Sequence, residues 1–159
     1  MKQVSITSNF IELDFEELTL DFQNLVSQAK EAICRAYAPY SNFPVGAAVL
    51  LQNKEVVLGS NQENAAYPSG LCAERTALFY TSSHFLNQKI RAIAVAVKNS
   101  IKDYPSPCGS CLQVISEYEE RQESPIEVLL VHPENGKILL SKGIKNLLPL
   151  AFKKTHLTR

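Results

Sequence analysis

The sequence predicts an α/β fold in which one mixed β-sheet is covered by helices on both faces. Three observations support this fold class: apolar residues recur at helical spacing in residues 22–36, two pairs of short apolar runs have the pattern of hairpins, and a β-branched run at residues 90–98 lies between two further helical segments. Strands that alternate with helices are typical of a single sheet with helices packed against it.

The first predicted helix follows from one apolar stripe. The residues of this stripe are Phe22, Leu25, Val26, Ala29, Ile33 and Ala36. Their spacing places them on one helix face, and Pro39 and Pro44 end the helix and begin the loop APYSNFPVG. Residues 1–20, which precede this helix, are predicted to be an N-terminal extension. Polar and apolar residues alternate weakly at QVSIT, which predicts a short strand there, and the alternation does not continue to residue 14.

The next elements are a hairpin and a helix. The runs VGAAVLL and VVLGSN are joined by the polar QNKE, which predicts two antiparallel strands. After the loop QENAAYPSG, residues 71–85 fit a second helix whose start is marked by Pro68, Ser69 and Gly70.

The rest of the chain continues the alternation. IRAIAVAVK is predicted to be a buried strand, residues 111–120 a third helix, and IEVLLVHPENGKILL a hairpin that turns at Asn135-Gly136. A last short helix is predicted in IKNLLPLAF. The hairpins predict antiparallel pairs and the crossovers favour parallel ones, so the sheet should be mixed. Residues 21–155 are predicted to form a single domain.

The composition narrows the choice of partner. Sixteen basic residues balance sixteen acidic ones, which gives no electrostatic reason to expect a nucleic acid polymer or an anionic membrane. No apolar run approaches the ~20 residues of a membrane span, and the first residues do not have the pattern of a secretory signal. We therefore expect a cytoplasmic protein with reduced cysteines and a small-molecule ligand.

Three of the four cysteines have the spacing of a metal site. Cys72 stands at the start of the second helix, and Cys108 and Cys111 form a CxxC pair at the start of the third. Helix N-termini favour the thiolate form, which is the form that binds metal. Three thiolates leave a tetrahedral Zn²⁺ one ligand short, so the pattern predicts one zinc ion per chain with a position open to water.

Glu74, two residues after Cys72, is predicted to move protons. Zinc lowers the pKa of a bound water to about 7, which supplies a hydroxide nucleophile near neutral pH. Glu74 is placed to accept a proton from this water and to pass it onward. The pattern therefore predicts hydrolysis at an electrophilic carbon.

Three other interpretations of the cysteines remain open at this point. Free cysteines are often ordinary core residues. CGSC has the form of a thioredoxin-like redox pair, although that interpretation gives Cys72 and Glu74 no role and the chain has no tryptophan. In a third interpretation, Cys34 completes a closed structural zinc site, which would need Cys34 and ignore Glu74.

CAE followed by PCGSC is the signature of the zinc nucleobase deaminases. With YSNFPVGAA, NQENAAY and CAERTAL, the chain resembles the cytidine deaminase family, in its small homotetrameric branch with three cysteine ligands to zinc. The resemblance extends from about Phe22 to Phe152. It implies a three-layer α/β/α sandwich around a five-stranded mixed sheet, and a homotetramer whose pockets are completed across subunits.

The resemblance implies that Cys72, Cys108 and Cys111 bind zinc and that Glu74 is the general acid and base. Arg75 would offset the negative charge of the thiolates. Glu74 would protonate N3 of cytosine, zinc hydroxide would attack C4, and Glu74 would pass a second proton to the departing amine. The implied enzyme is a hydrolase of pyrimidine salvage that cleaves a C–N bond of a cyclic amidine and converts cytidine, and also deoxycytidine, to the uracil nucleoside and ammonia.

The resemblance also implies how the substrate is held. Phe43 would stack on the pyrimidine, Asn61 and Glu63 would hold the ribose hydroxyls, and the backbone at Ala73 would contact the base. Phe152 would close the pocket of a neighbouring subunit. A nucleoside is favoured over a free base because both positions of the ribose motif are present, and over a polynucleotide because the chain has no basic stretch.

The chain departs from the family pattern at three positions. Leu112 stands where arginine usually follows the last ligand, Gln62 where an apolar residue is common, and Leu150 where glycine is usual. The first departure removes a cation from the thiolates, so Arg75 is expected to neutralise them alone. Modified cytidines therefore stay open as substrates.

Overall fold

A computed structural model describes residues 1–157 and has an α/β architecture. The helices are α1 (Leu20–Ala32), α2 (Ala73–His84) and α3 (Gly109–Gln122). The strands are β1 (Ile11–Leu13), β2 (Val45–Leu51), β3 (Val56–Ser60), β4 (Ile90–Val97), β5 (Glu127–Val131) and β6 (Ile138–Ser141).

The strands form one mixed sheet in the order β1-β6-β5-β4-β2-β3. β4 and β5 are parallel and the other neighbours are antiparallel, which confirms the prediction of a mixed sheet. The expectation of five strands is wrong, because the described residues form six. The additional strand is β1, which forms an edge of the sheet by pairing with β6 in the register Leu13↔Ile138, whereas QVSIT forms no strand.

Helices cover both faces of the sheet. Because side chains alternate along a strand, Ala48 and Leu50 of β2 pack in the cluster that contains α1, and Val49 and Leu51 pack in the cluster that contains α2 and α3. The apolar stripe predicted for α1 supplies its buried residues up to Ala29. The three layers thus follow from the two apolar faces of the central strands.

The strand directions bring the starts of α2 and α3 together. β2 is antiparallel to both β3 and β4, and β4 is parallel to β5, so β3, β4 and β5 all run in the same direction. The carboxyl ends of β3 and β4 therefore lie at the same edge of the sheet. Because α2 is the helix that follows β3 and α3 the one that follows β4, both helices begin at this edge.

The predicted last helix is wrong in extent. The segment forms only a 3₁₀ turn, Ile144–Asn146. A longer helix is blocked by Pro149, which has no N–H to donate and disfavours helical backbone at the residue before it. Among residues 1–157, no helix has the length and apolarity needed to cross a membrane.

Candidate metal centre and adjoining cavity

The three cysteines predicted to bind metal lie together at the edge of the sheet where α2 and α3 both begin. Cys72 is the N-cap of α2, Cys108 is the N-cap of α3, and Cys111 is in the first turn of α3. Their Sγ atoms all lie within 4.8 Å of one another. Cys72 and Cys108 are 36 residues apart in sequence, and their sulfur atoms are 3.7 Å apart.

The spacing of the sulfur atoms fits a tetrahedral zinc ion. Zn–S bonds of about 2.3 Å at tetrahedral angles require S···S distances of about 3.8 Å. The observed distances are 3.7 Å between Cys72 and Cys108 and 3.5 Å between Cys108 and Cys111. Three sulfur ligands leave the fourth tetrahedral position free, as in a catalytic rather than a structural site.

The three thiols change one another's pKa values through hydrogen bonds. The pKa of Cys72 is lowered to about 5 because its sulfur accepts hydrogen bonds from the Cys111 thiol, from Arg75 and from Cys108. The pKa of Cys111 is raised, because its thiol donates to Cys72 and because it is buried. A divalent cation at the same point would hold all three sulfurs as thiolates, since a metal outweighs such local effects.

Glu74 is the buried acid of the site. It lies in the first turn of α2, its side chain is only 4 % exposed, and burial raises its pKa, with the neighbouring Cys72 thiolate acting in the same direction. A carboxyl group with a raised pKa can carry a proton closer to neutral pH than an exposed one. This is the property that a proton shuttle requires.

Arg75 is the cation next to the sulfurs. Its Nη2 atom lies 3.8 Å from Cys72 Sγ, and this hydrogen bond raises the pKa of the guanidinium. Leu112, at the position where the family usually has arginine, is buried in the core cluster that contains α2 and α3. The side chain at 112 therefore contributes packing, and Arg75 is the cation that contacts Cys72.

Cys34 does not join the cluster. It lies in the 3₁₀ turn after α1, is exposed, and donates its thiol hydrogen to the Glu31 carbonyl at 3.0 Å. The metal-type cluster found among residues 1–157 contains Cys72, Cys108 and Cys111 without it. The closed four-cysteine interpretation therefore has no support in the geometry.

A cavity of about 470 Å³ opens beside the cysteines. Its lining includes Cys72, Arg75, Asn61 and Glu63. This volume is within the range of small-molecule sites. The fold thus brings the predicted ribose-binding residues to the same cavity as a metal ligand.

Asn61 connects this cavity to the loop that carries Phe43. The Asn61 amide donates to the Phe43 carbonyl at 3.0 Å, and its Oδ1 accepts the Val45 N–H at 2.9 Å. Phe43 is partly buried and is not among the residues that line the cavity. The side chain of Asn61 therefore has a structural task in addition to the predicted contact with substrate.

Glu63 organises the same loop from the other side. Its carboxylate accepts hydrogen bonds from the N–H groups of Tyr40, at 2.9 Å, and Ser41, at 3.2 Å, and from the Ser41 hydroxyl. These bonds, that of the hydroxyl first, lower the pKa of Glu63 and keep it anionic. Sequence reasoning missed Ser41, because a contact across 22 residues has no local signal.

Gln62 lines the cavity with a side chain that also bonds to the protein, whereas Ala73 is not among the lining residues. The Gln62 amide donates to the Arg35 carbonyl and to the Ser60 hydroxyl, which explains a polar residue at a position where apolar ones are common. Ala73 is completely buried at the start of α2.

Phe152 lies apart from this cavity. Its side chain is 56 % exposed, and its backbone is held by Gln113 of α3, which donates to the Phe152 carbonyl at 2.7 Å and accepts from its N–H at 3.3 Å. Sequence reasoning also missed Gln113, although it follows Cys111 by two residues. The arrangement presents the phenyl ring to the outside.

The sequence model of the cytidine and deoxycytidylate deaminase zinc-binding region matches residues 21–124. A cytidine deaminase of Sporosarcina psychrophila is 37% identical over 139 residues, which are 87% of this chain and 96% of that protein. A cytidine deaminase of Halalkalibacterium halodurans is 44% identical over 98 residues, 62% of this chain and 72% of that protein.

The fold is also similar to that of solved structures. The crystal structure of a cytidine deaminase from Burkholderia pseudomallei superposes with a TM-score of 0.72 at 38% identity. The superposition covers 85% of this chain and 100% of that one.

Proposed function

The chain belongs to the cytidine and deoxycytidylate deaminase family, and we propose that it hydrolyses cytidine, and also deoxycytidine, to the corresponding uracil nucleoside and ammonia. The observation that carries the proposal is that Cys72, whose sulfur lies with those of Cys108 and Cys111 and beside the buried Glu74, lines the same cavity as Asn61 and Glu63. The cofactor is one zinc ion per chain, for which Cys72, Cys108 and Cys111 are the ligands.

The chemistry follows from the residues of this site. Zinc, when bound by three thiolates, lowers the pKa of water to about 7 and so supplies a nucleophile. Glu74 takes the proton that this water loses and delivers it to N3 of the cytosine ring, which makes C4 electrophilic. Oxygen then bonds to C4, and Glu74 carries the remaining proton to the exocyclic nitrogen, which leaves as ammonia. The balance is cytidine plus water to uridine plus ammonia.

The surroundings of Glu74 suit two proton transfers. Burial disfavours its carboxylate form and raises its pKa, so the carboxylate accepts a proton from water more readily than an exposed one would. Arg75 offsets part of the charge of the thiolates and so limits their repulsion of a second anion.

We propose that the nucleoside is held by the residues that the resemblance assigns. Phe43 stacks on the base, the Ala73 backbone contacts it, and Asn61 and Glu63 accept and donate hydrogen bonds at the ribose hydroxyls. Support comes from the cavity, which brings Asn61 and Glu63 to the same space as Cys72. A free base would make no use of the contacts proposed for Asn61 and Glu63.

We also propose a cytoplasmic homotetramer of the single domain 21–155, in which Phe152 closes the pocket of a neighbour. Exposed aromatic residues support association: Phe79 and Tyr80 lie on the outer side of α2, and Phe152 is held facing outward. Sedimentation should give four chains per particle. If Phe152→Ala leaves both assembly and the KM for cytidine unchanged, this part of the proposal is wrong.

The test of the activity is ammonia release from cytidine by the zinc-loaded protein. Glu74→Gln should abolish turnover and keep about one zinc per chain, whereas Glu117→Gln, on the exposed side of α3, should behave as the parent. Cys34→Ala should also keep metal and activity. An inactive parent with full zinc, or a Glu74→Gln variant that retains turnover, would contradict the proposed reaction.

A further inference from the structure

The short strand β1 precedes residue 21, where the match to the family begins, and yet it is part of the sheet. Its side chains alternate in the usual way: Leu13 packs against the cluster that contains α1, so Glu12 is directed to the opposite face. That face is the one that carries α2, α3 and the metal centre. A residue of the N-terminal segment therefore reaches the functional side of the sheet.

Glu12 makes two contacts there. Its carboxylate accepts a hydrogen bond from the Tyr104 hydroxyl at 2.6 Å and an ion-paired one from Lys137 Nζ at 3.1 Å. The hydrogen bond to Tyr104 is the first cause of the lowered pKa of Glu12, and burial together with this bond raises the pKa of Tyr104 to about 12. A phenol bonded to a carboxylate at this distance forms a charge-assisted hydrogen bond, stronger than a neutral one.

Tyr104 is fixed on its other sides as well. Its ring packs edge-on against His132 with centroids 5.2 Å apart, and it lies against the core cluster that contains α2 and α3. His132 in turn is hydrogen-bonded through Nε2 to the Lys102 carbonyl of the same loop, at 3.2 Å. The Tyr104 side chain is thus an anchor for the loop 98–107, and Glu12 holds its polar end.

Only three residues separate Tyr104 from the zinc ligand Cys108. Two of them are the buried prolines Pro105 and Pro107, whose rings fix φ, and the Ser106 N–H donates to the Tyr104 carbonyl at 2.8 Å. Little rotational freedom is left between the anchored phenol and the start of α3. A displacement of Tyr104 is therefore passed to the Cys108 sulfur.

We propose that Glu12 is a positioning residue for the metal centre, which acts through Tyr104 to hold the Cys108 loop in the geometry that binds zinc. This rests on the proposed zinc-dependent function. The N-terminal strand thereby adds to the metal site a support that comes from outside the family match. The Glu12 carboxylate also pairs with Lys137, but Lys137 directly precedes β6 and is not part of the loop that leads to Cys108.

The test is zinc retention, measured by competition with a chelator, in full-length variants. Loss of an outer partner of a metal ligand typically costs 10–100-fold in affinity. Because Glu12 acts through one further residue, we expect about 10-fold weaker zinc binding for Glu12→Ala and for Tyr104→Phe, with no further loss in the double variant. Glu12→Gln keeps an acceptor for the phenol and should restore most of the affinity.

Lys137→Met is the matched control, since it removes the ion pair and leaves the bond to Tyr104 in place. It should bind zinc as the parent does. In the cobalt-substituted protein, Glu12→Ala and Tyr104→Phe should weaken or shift the thiolate-to-cobalt absorption band, a readout that a general loss of stability in the metal-free chain does not change.

The outcomes separate this inference from the proposed function. Parental zinc affinity and cobalt spectrum in both Glu12→Ala and Tyr104→Phe would overturn the inference, as would an equal loss in Lys137→Met. A parent that binds zinc but releases no ammonia from cytidine would overturn the deaminase proposal, and the zinc measurements would still decide the role of Glu12.

Discussion

Gly59→Ala is expected to lower the catalytic activity more strongly than it lowers the stability of the fold. Gly59 lies on β3 against the start of α2, and a methyl group there would be 2.4 Å from the Ala73 carbonyl oxygen and 2.6 Å from the Ala77 nitrogen. Both atoms are backbone and cannot rotate away. Since ordinary contact begins at 3.4 Å, α2 must move outward by about 1 Å.

The size of the effect follows from this displacement. Overpacking of a core typically costs about 1–3 kcal/mol, and for a chain of this size each kcal/mol lowers Tm by about 2–4 °C. Ala73 lies between Cys72 and Glu74, so the same shift moves a predicted zinc ligand and the proposed proton shuttle. A misplacement of about 1 Å costs about 100-fold in rate. We expect kcat/KM for cytidine to fall about 100-fold in a protein that is still folded at 25 °C.

Gly46→Ala is the matched control for this experiment. A methyl group on Gly46 would meet the Ala29 carbonyl oxygen at 2.2 Å and the Ile33 nitrogen at 2.7 Å, on the opposite face of the sheet, where α1 carries no site residue. Its Tm should fall by a similar amount with much smaller loss of activity. If the two variants lose activity equally, or if Gly59→Ala keeps parental kcat/KM, the argument from the position of α2 is wrong.

Two further predictions concern residues outside the metal centre. Gln113→Ala removes both hydrogen bonds that hold the Phe152 backbone. Since a hydrogen bond contributes about 0.5–1.5 kcal/mol, the KM for cytidine should rise about 3–10-fold at unchanged zinc content. An unchanged KM would show that Phe152 needs no such support. Asp21 has a lowered pKa, first because it accepts a hydrogen bond from Arg91. Its contribution is therefore complete above its ordinary pKa of 3.8 and is lost as the pH falls through the lowered value, so urea unfolding of the parent and Asp21→Asn should differ near neutral pH and converge in acid.

The sequence was sufficient for those elements whose signal is local. IRAIAVAV is apolar except for Arg91 and rich in β-branched residues, and it forms the central strand β4; the stripe from Phe22 onward lies in α1. β1 was missed because three residues around Glu12 have no more alternation than QVSIT, and what fixes the strand is pairing with β6 more than a hundred residues later. The apolar spacing of IKNLLPLAF predicts a longer helix than the 3₁₀ turn that forms, because Pro149 within the segment ends the helical backbone.

The residues of the candidate site also differ in whether the local sequence predicts them or only the folded structure brings them together. Cys72, Glu74, Cys108 and Cys111 were predictable because few residue types bind zinc or move protons, and their spacing along the chain is itself informative. The bonds between Glu63 and the Ser41 loop depend on where two loops meet in space, and no spacing rule contains that information. The catalytic role of Glu74 stays a prediction, as do the roles in substrate binding of Phe43, Asn61, Glu63, Ala73 and Phe152.

The common direction of β3, β4 and β5 also has a consequence for the order of folding. The sulfurs of Cys72 and Cys108 are distant in sequence and meet only when β2 separates β3 from β4 and both helices start at one edge. Non-local pairings of this kind form more slowly than helices or hairpins. A chain with formed helices and an incomplete sheet would have scattered thiols, so uptake of cobalt into the three-sulfur site during refolding would report completion of the sheet and not its nucleation.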